Sequence, residues 1–523
     1  FTTCLNPNHI YSHEEWYLKH IISFCFQCLV ALSNFLIYYS YVNDTEYLLV
    51  YTHFKSQRNK EAMVYSSKFT EYAGFFRQLL AGSAASLGVL TCAFTYAWVT
   101  PILPRLLGPD SEIPMDPEGV SWMLIMPEFG NLISALPAGI LADRIGRKTV
   151  ILISAPIFLI GWIFILYTKS LLILNIARVF QGLAVGIIYT VMPMYLGEIA
   201  SPKYRGAITS IFYFFWWFGF LFEYILGPML TYFHYTLAST TINVFFFIAF
   251  IFQPESPYYY LIKNKVNSAR KSLTWLLQSN EDEVDKELER MKKCVEEDQQ
   301  RKVVWNELVA TPTDRKALLI LFLVGFLRQY CGIIPLSSYS TQTLKAAGDS
   351  FIISADNCTI VMGIMMVIGS IGSFFTLDVF GRKSLLYFSC SLSAICMFSA
   401  GTFYLLKSHS SLEMAPYSWI PPVSFTILAG VSVVGIFPVN IAYASELFTS
   451  NTRGIASSVF SFYTTILGII VLKFYLTLVD LFGEFVNFYI YTAVCILGVF
   501  LTWFIMPETK GKTFERIRHE LER

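Results

Sequence analysis

The chain has 523 residues, of which 55% are hydrophobic, 17% aromatic and only 14% charged, against about 25% charged in ordinary globular domains. That balance excludes a water-soluble globular domain, and a net charge of +1 offers neither a basic field for nucleic acid nor an acidic tail. The composition is that of an integral membrane protein, with aromatics suited to lipid-facing helices and interfacial belts.

Residues 1–74 read as an N-terminal extension. Within it Ile21 to Val42 is an uncharged run long enough to span a bilayer, diluted by Ser, Asn, Gln and Tyr. An extra helix or interfacial segment, a gene-model artefact and a functional appendage are all open readings of it. From Leu79 onward, apolar runs of about 20 residues recur between short polar breaks, the length that crosses a hydrocarbon core of ~30 Å. The predicted spans are 79–103, 120–142, 149–167, 171–196, 206–226 and 236–252, then 317–340, 358–377, 384–406, 419–445, 455–479 and 485–506. They group into a bundle over 75–252, a hydrophilic loop over 253–316, a second bundle over 317–506 and a tail over 507–523. Inside the loop, 280–301 mixes acids and bases as solvated helices do.

Lys and Arg gather in the long loop, in the tail and in the breaks after the second, fourth, eighth and tenth spans, whereas the opposite breaks hold only Arg105, Lys169, Lys345 and Lys407. The positive-inside rule therefore predicts a multi-pass protein with the loop and C-terminus cytoplasmic, and we expect the plasma membrane. The sequon Asn357-Cys358-Thr359 then falls on the outer side. Most of the ten Cys lie inside apolar runs and form no disulfide framework.

The polar breaks repeat. Asp143-Arg144-Ile145-Gly146-Arg147-Lys148 is answered by Asp378-Val379-Phe380-Gly381-Arg382-Lys383, Glu198 and Arg205-Gly206 by Glu446 and Arg453-Gly454 at the same spacing, and Pro254-Glu255-Ser256 by Pro507-Glu508-Thr509. Three ordered matches mark two homologous six-helix halves, the organisation of a transporter that rocks one bundle against the other around a midplane site.

The first of these runs, extended back to Gly139, resembles the signature between helices 2 and 3 of the major facilitator superfamily. Arg178-Val179-Phe180-Gln181-Gly182, Pro193-Met194-Tyr195-Leu196-Gly197-Glu198, Pro254-Glu255-Ser256-Pro257 and Pro507-Glu508-Thr509 are similar to motifs of its sugar porter family, notably the insect facilitated trehalose transporters and the facilitative glucose transporters. The resemblance covers about residues 75–520. It implies an all-α major facilitator fold of twelve transmembrane helices that carries a small polar solute, a sugar such as trehalose or a hexose, by alternating access. A divergent relative with a changed, anionic substrate and a sensor that does not transport stay open beside it.

Acids and bases at matched helix ends can form inter-helix ion pairs and helix-end contacts. They are Asp143, Arg147, Glu198, Arg205 and Glu255 in one half and Asp378, Arg382, Glu446, Arg453 and Glu508 in the other. The resemblance implies that they form the cytoplasmic gate; the plainer reading makes them topogenic charges. Arg178 lies inside the fourth span with Gly182 and Gly186 on its face, and a buried Arg calls for an acidic partner and a place in the same network. Tyr258 stands where the family has an Arg.

The central cavity departs further from the family. Tyr213 replaces a Gln, Arg328-Gln329-Tyr330-Cys331-Gly332-Ile333-Ile334 replaces Gln-Gln-x-Ser-Gly-Ile-Asn, Met366 and Thr464 each replace an Asn, Asn440 a Pro and Ile441 a Trp. Gln329, Arg328, Tyr213, Asn440 and Thr464, with Ser337-Ser338-Tyr339, remain as candidate substrate contacts. Arg328, Glu223 and Lys473 are charges inside predicted spans; either Arg328 holds an anion, or these groups pair internally or snorkel. The absence of Asp and Glu between Leu79 and Leu107 favours facilitated diffusion over proton coupling, by the same resemblance. Seven scattered His and the lack of a nucleotide loop, metal cluster or nucleophile motif disfavour an enzyme and point to no cofactor; nucleic acid is not an expected partner.

Overall fold

A computed structural model describes residues 59–523 apart from 110, 301–307, 349–353, 411–412, 449–451, 513 and 523, and within helices it leaves out the side chains of 59–72, 298–300, 374, 375, 378, 453, 514, 515 and 522. The Ile21 to Val42 run and the side chains of Asp378 and Arg453 lie outside the described residues. Among the described residues, twelve helical spans are long and apolar enough to cross a membrane. They are α1 Ala73–Leu106, α2 Pro117–Ile145, α3 Arg147–Tyr167, α4 Leu171–Ile199, α5 Arg205–Met229, α6 Tyr232–Ile251, α7 Pro312–Ala347, α8 Ala355–Ser373, α9 Arg382–His409, α10 Ala415–Glu446, α11 Gly454–Phe482 and α12 Phe485–Phe504. This is the major facilitator architecture, two bundles of six.

Local chemistry starts and interrupts these helices. Asp116 accepts a hydrogen bond from the Gly119 N–H ahead of Pro117 to open α2, and Thr311 with Asp314 forms a reciprocal cap around Pro312 to open α7. The first span is the membrane part of a helix running unbroken from Asn59 to Ala97. Residues 59–74 thus continue α1 and do not form a separate extension; hydropathy marks where a helix enters lipid, whereas its polar end is drawn by backbone bonding alone. Three spans are interrupted: α1 at Trp98, α7 at Gly332, whose φ of +100° favours glycine, and α10 by a π turn over Ser432–Ile436.

The same pairings recur in both halves: α2 on α4, α3 on α4 and on α6, α1 on α5, matched by α8 on α10, α9 on α10 and on α12, α7 on α11. The halves meet along α2–α11 and α5–α8, and where the second segments of α1 and α7 cross. Close approach of α4 to α2 depends on Gly182, where an added Cβ would sit 2.0 Å from the Pro127 carbonyl oxygen. Between the halves the chain forms helices Pro257–Ile262, Val266–Leu277 and Glu281–Gln300 around a small core of Leu261, Leu273, Val284 and Met291. These dock on α1 through Arg77 to the Trp275 carbonyl, 3.3 Å. The side of the molecule carrying them is called the loop face below, and the opposite side the far face.

Gly182→Ala should lower the thermal midpoint of the detergent-purified protein by the equivalent of about 1–3 kcal/mol, the usual cost of overpacking. Gly206→Ala, where nothing lies within 4 Å of the added carbon, should leave it nearly unchanged. Equal midpoints for the two variants would refute the tight α2–α4 contact.

Candidate functional site

At the loop face each half closes on itself through one arrangement used twice. In the first, Arg147 at the start of α3 donates through Nε to both carboxylate oxygens of Glu198 at the end of α4, 3.1 and 3.0 Å. Its Nη1 donates to the Ala142 carbonyl at 3.1 Å and its Nη2 pairs with Asp143 at 3.0 Å. The Ser256 hydroxyl donates to Glu198 as well. Glu255, just past α6, accepts from the Lys148 N–H at 2.9 Å, and the Tyr195 hydroxyl donates to the Pro254 carbonyl at 2.8 Å.

The second half repeats this nearly group for group. Arg382 donates to Glu446 at 2.8 Å through Nη2 and to the Leu377 carbonyl at 3.2 Å. Glu508 accepts from the N–H groups of Arg382 and Lys383, 3.0 and 3.1 Å, and Tyr443 donates to the Pro507 carbonyl at 2.8 Å. Burial alone would push the Glu508 carboxyl up, but the backbone N–H groups of Lys510, Arg382, Lys383 and Thr509 together hold it below its ordinary value. Gly146 and Gly381, both at positive φ, carry the helix-start N–H groups up to these carboxylates; a Cβ would sit 2.2 Å from Glu255 or 2.6 Å from Glu508.

Two expected members do not join. Arg205 is exposed and makes none of these contacts. Arg178 is fully buried away from the loop face and has no acidic partner among the described residues: it donates to the Thr95 carbonyl at 2.5 Å and to Gln181 at 2.9 Å. Carbonyl dipoles next to the α1 break take the place of a carboxylate, which a sequence pattern of side chains cannot reveal.

Between the halves lies a cavity of about 140 Å³. Arg328, Gln329, Ser337, Ser338 and Thr464 line it as anticipated. Gln329 donates through Nε2 to the Thr464 carbonyl at 2.6 Å, leaving its buried Oε1 without a partner. Two candidates are placed elsewhere. Tyr213 shares an α5 face with Trp216 and Trp217, which do line the cavity, but sits one turn nearer the loop face against Phe212. Asn440 is buried and donates to the Val324 carbonyl of α7 at 2.9 Å, so its amide joins two helices instead of facing the solute space. Tyr339 likewise turns its hydroxyl to the Leu472 carbonyl, 3.2 Å.

Glu128 and Asn131 of α2, with Tyr96, Tyr189, Trp216 and Trp217, also line the cavity and are absent from the sequence-based candidates. For Glu128 the signal is a lone carboxylate inside the predicted 120–142 span. For the aromatics there is none, because lipid-facing and cavity-facing rings look alike in sequence. Two other intramembrane charges have partners: Glu223 accepts from Ser239 at 2.7 Å through one carboxylate oxygen, and Lys473 pairs with Glu118 at 3.7 Å and lies 4.3 Å from the Trp122 ring centre.

The described hydrogen bonds and ion pairs between the halves all lie toward the far face. The Ser337 carbonyl accepts from Thr100 at 2.6 Å and from Tyr224 at 2.8 Å, and Lys473 to Glu118 is the cross-half ion pair. At the loop face, the described ion pairs among the spanning helices stay within their own half. Among the described residues, the bonds that join the halves therefore close the far face of the cavity.

The model of the sugar (and other) transporter family matches residues 115–521. The chain belongs to this family. Facilitated trehalose transporter Tret1 of Bombyx mori is 27% identical over 465 residues, covering 88% of this chain and 90% of that protein. Tret1 of Drosophila virilis is 27% identical over 447 residues, and there the match spans 85% of this chain but about half, 48%, of the relative's length. Among solved structures, the inward open conformation of the xylose transporter XylE from E. coli superposes with a TM-score of 0.69 at 19% identity, covering 84% of this chain and 98% of that one. XylE bound to 6-bromo-6-deoxy-D-glucose gives 0.67 at 20% identity over 86% and 100%. These likenesses establish the fold.

Glu508→Gln should lower thermal stability at pH 7. A carboxyl held below its ordinary value stabilises the fold above that ordinary value and loses the effect as pH falls through the folded value, so the gap between Glu508→Gln and the parent should close below about pH 4. Midpoints measured from about pH 3 to 8 test this, and a gap independent of pH would contradict it.

Proposed function

We propose that the chain carries a sugar, such as trehalose or a hexose, across the membrane by alternating access and facilitated diffusion, as a carrier and not an enzyme. The observation that carries this reading is the cavity itself, at the junction of two repeated halves, sealed on one face, with amide and hydroxyl groups of Gln329, Ser338 and Thr464 set beside the indoles of Trp216 and Trp217. A polyol needs that combination of donors, acceptors and aromatic surface. Family membership and the names of the relatives point the same way.

In this reading the loop face and C-terminus are cytoplasmic and the protein resides in the plasma membrane, following the placement of Lys and Arg. The residue-range halves, 75–252 and 317–506, act as the moving bodies. The loop-face networks tie α3, α4 and the segment after α6, and α9, α10 and the segment after α12, so that each half moves as a unit and the seal is exchanged between them. Arg178, bonded to the Thr95 carbonyl and Gln181, and α1, without Asp or Glu between Leu79 and Leu107, give no carboxylate–arginine couple there among the described residues of the kind that proton-driven transport would employ.

Reconstituted protein should give saturable uptake of labelled trehalose or glucose that equilibrates without accumulating and is indifferent to a pH gradient. Gln329→Ala should raise the half-saturation concentration roughly tenfold, the equivalent of ~1.4 kcal/mol. Lack of saturable uptake for every sugar tried would overturn the proposal.

A further inference from the structure

Two oppositely charged side chains face the cavity, one from each half: Glu128 of α2 and Arg328 of α7. Each alone would be costly in this setting, and they lie within electrostatic reach of one another. They do not close into a direct pair. The Arg328 guanidinium makes no hydrogen bond or ion pair among the described residues; its Cζ lies 4.9 Å from the Phe437 ring centre, and its Nε is buried without a partner. Glu128 accepts a long bond from the Asn131 amide, 3.5 Å, and lies within hydrogen-bonding reach of the Tyr96 hydroxyl. Next to Arg328, the Gln329 side chain is 7% exposed and keeps an unpartnered Oε1. A carboxylate has about four acceptor sites and a guanidinium five donors, so acceptor capacity on one half and donor capacity on the other, each only partly used, converge on one space.

The chemistry of that space selects a ligand. A hydroxyl donates one hydrogen bond and accepts others, so a ring carrying several can give protons to Glu128 and take them from Arg328 at once, through the stronger charge-assisted class of bond. An anionic solute gains at Arg328 but is repelled by Glu128, and a cationic one meets the reverse. Resting on the sugar-carrying function proposed above, we infer that Glu128 and Arg328 are specificity-determining residues that grip a neutral polyhydroxylated solute across the two halves and reject sugar acids and amino sugars. Because the grip spans both halves, the bound solute itself couples them. This accounts for an Arg at position 328 without requiring an anionic substrate.

The test uses the full chain in detergent and the intrinsic fluorescence of Trp216 and Trp217, which line the same cavity, titrated with glucose, trehalose, glucuronate, glucosamine and the zwitterion glycine betaine. The parent should respond saturably to a neutral sugar and not to the charged probes or to betaine. Glu128→Gln should weaken neutral-sugar binding about tenfold, the scale of one charge-assisted bond, and admit glucuronate; Arg328→Gln should weaken it similarly and admit glucosamine. Should either variant fail to give a monodisperse peak with the parent's thermal transition, Glu128→Asp and Arg328→Lys take its place, and these should weaken sugar binding while keeping the charge preference of the parent. Neutral-sugar binding with the same charge preference in parent, Glu128→Gln and Arg328→Gln would overturn the grip alone, as would a parent that takes betaine or glucuronate in place of glucose. A parent that binds no sugar of any charge would overturn the carrier reading and the grip together.

Discussion

Hydrocarbon offers no hydrogen bonds, so a polar group within the bilayer must find its partner inside the protein. That constraint makes each span a helix and explains why the interruptions in α1, α7 and α10 occur where other helices can receive the freed groups. Arg178 shows it at its most demanding: a buried guanidinium met by the Thr95 carbonyl one turn before the break at Trp98. Glu223 with Ser239 and Asn440 with the Val324 carbonyl obey the same rule. Around the cavity, Gln329 Oε1 and Arg328 Nε are buried without a partner, where a bound solute could supply what the protein does not.

Charge at the loop face does a different job from charge in the cavity. Arg147 with Glu198 and Arg382 with Glu446 tie helix ends that belong to one half, and Glu255 and Glu508 cap the starts of α3 and α9 while holding the chain that follows α6 and α12. Bonds of this kind stiffen a bundle without attaching it to its neighbour. Attachment comes instead from the far-face bonds to the Ser337 carbonyl and from Lys473 with Glu118. A molecule built from two internally braced bodies joined on one face has one inexpensive motion available, a rocking that trades that seal for another, and packed interfaces of this sort switch between discrete arrangements more readily than they deform.

Much of this was determined by the sequence alone. Apolar run length dictated twelve spans, because the bilayer sets how many helical residues are needed, and the repeated charge motifs at Asp143 and Asp378, Glu198 and Glu446, Glu255 and Glu508 declared two related halves, since each motif serves a local helix-end geometry that its residues encode by themselves. What tertiary structure decided is which side chains of those helices meet. A helix carries its side chains around the full circle, and in a membrane protein both the lipid-facing and the inward-facing sectors are apolar, so hydropathy does not orient them. Hence Trp216 and Trp217 could not be told from the lipid-facing rings of α5, Tyr213 fell one turn outside the lining it was expected to join, Asn440 turned to a neighbouring helix, and Glu128, visible as a lone carboxylate in α2, acquired its meaning only when packing set it opposite Arg328, two hundred residues away in sequence and on the other half of the molecule.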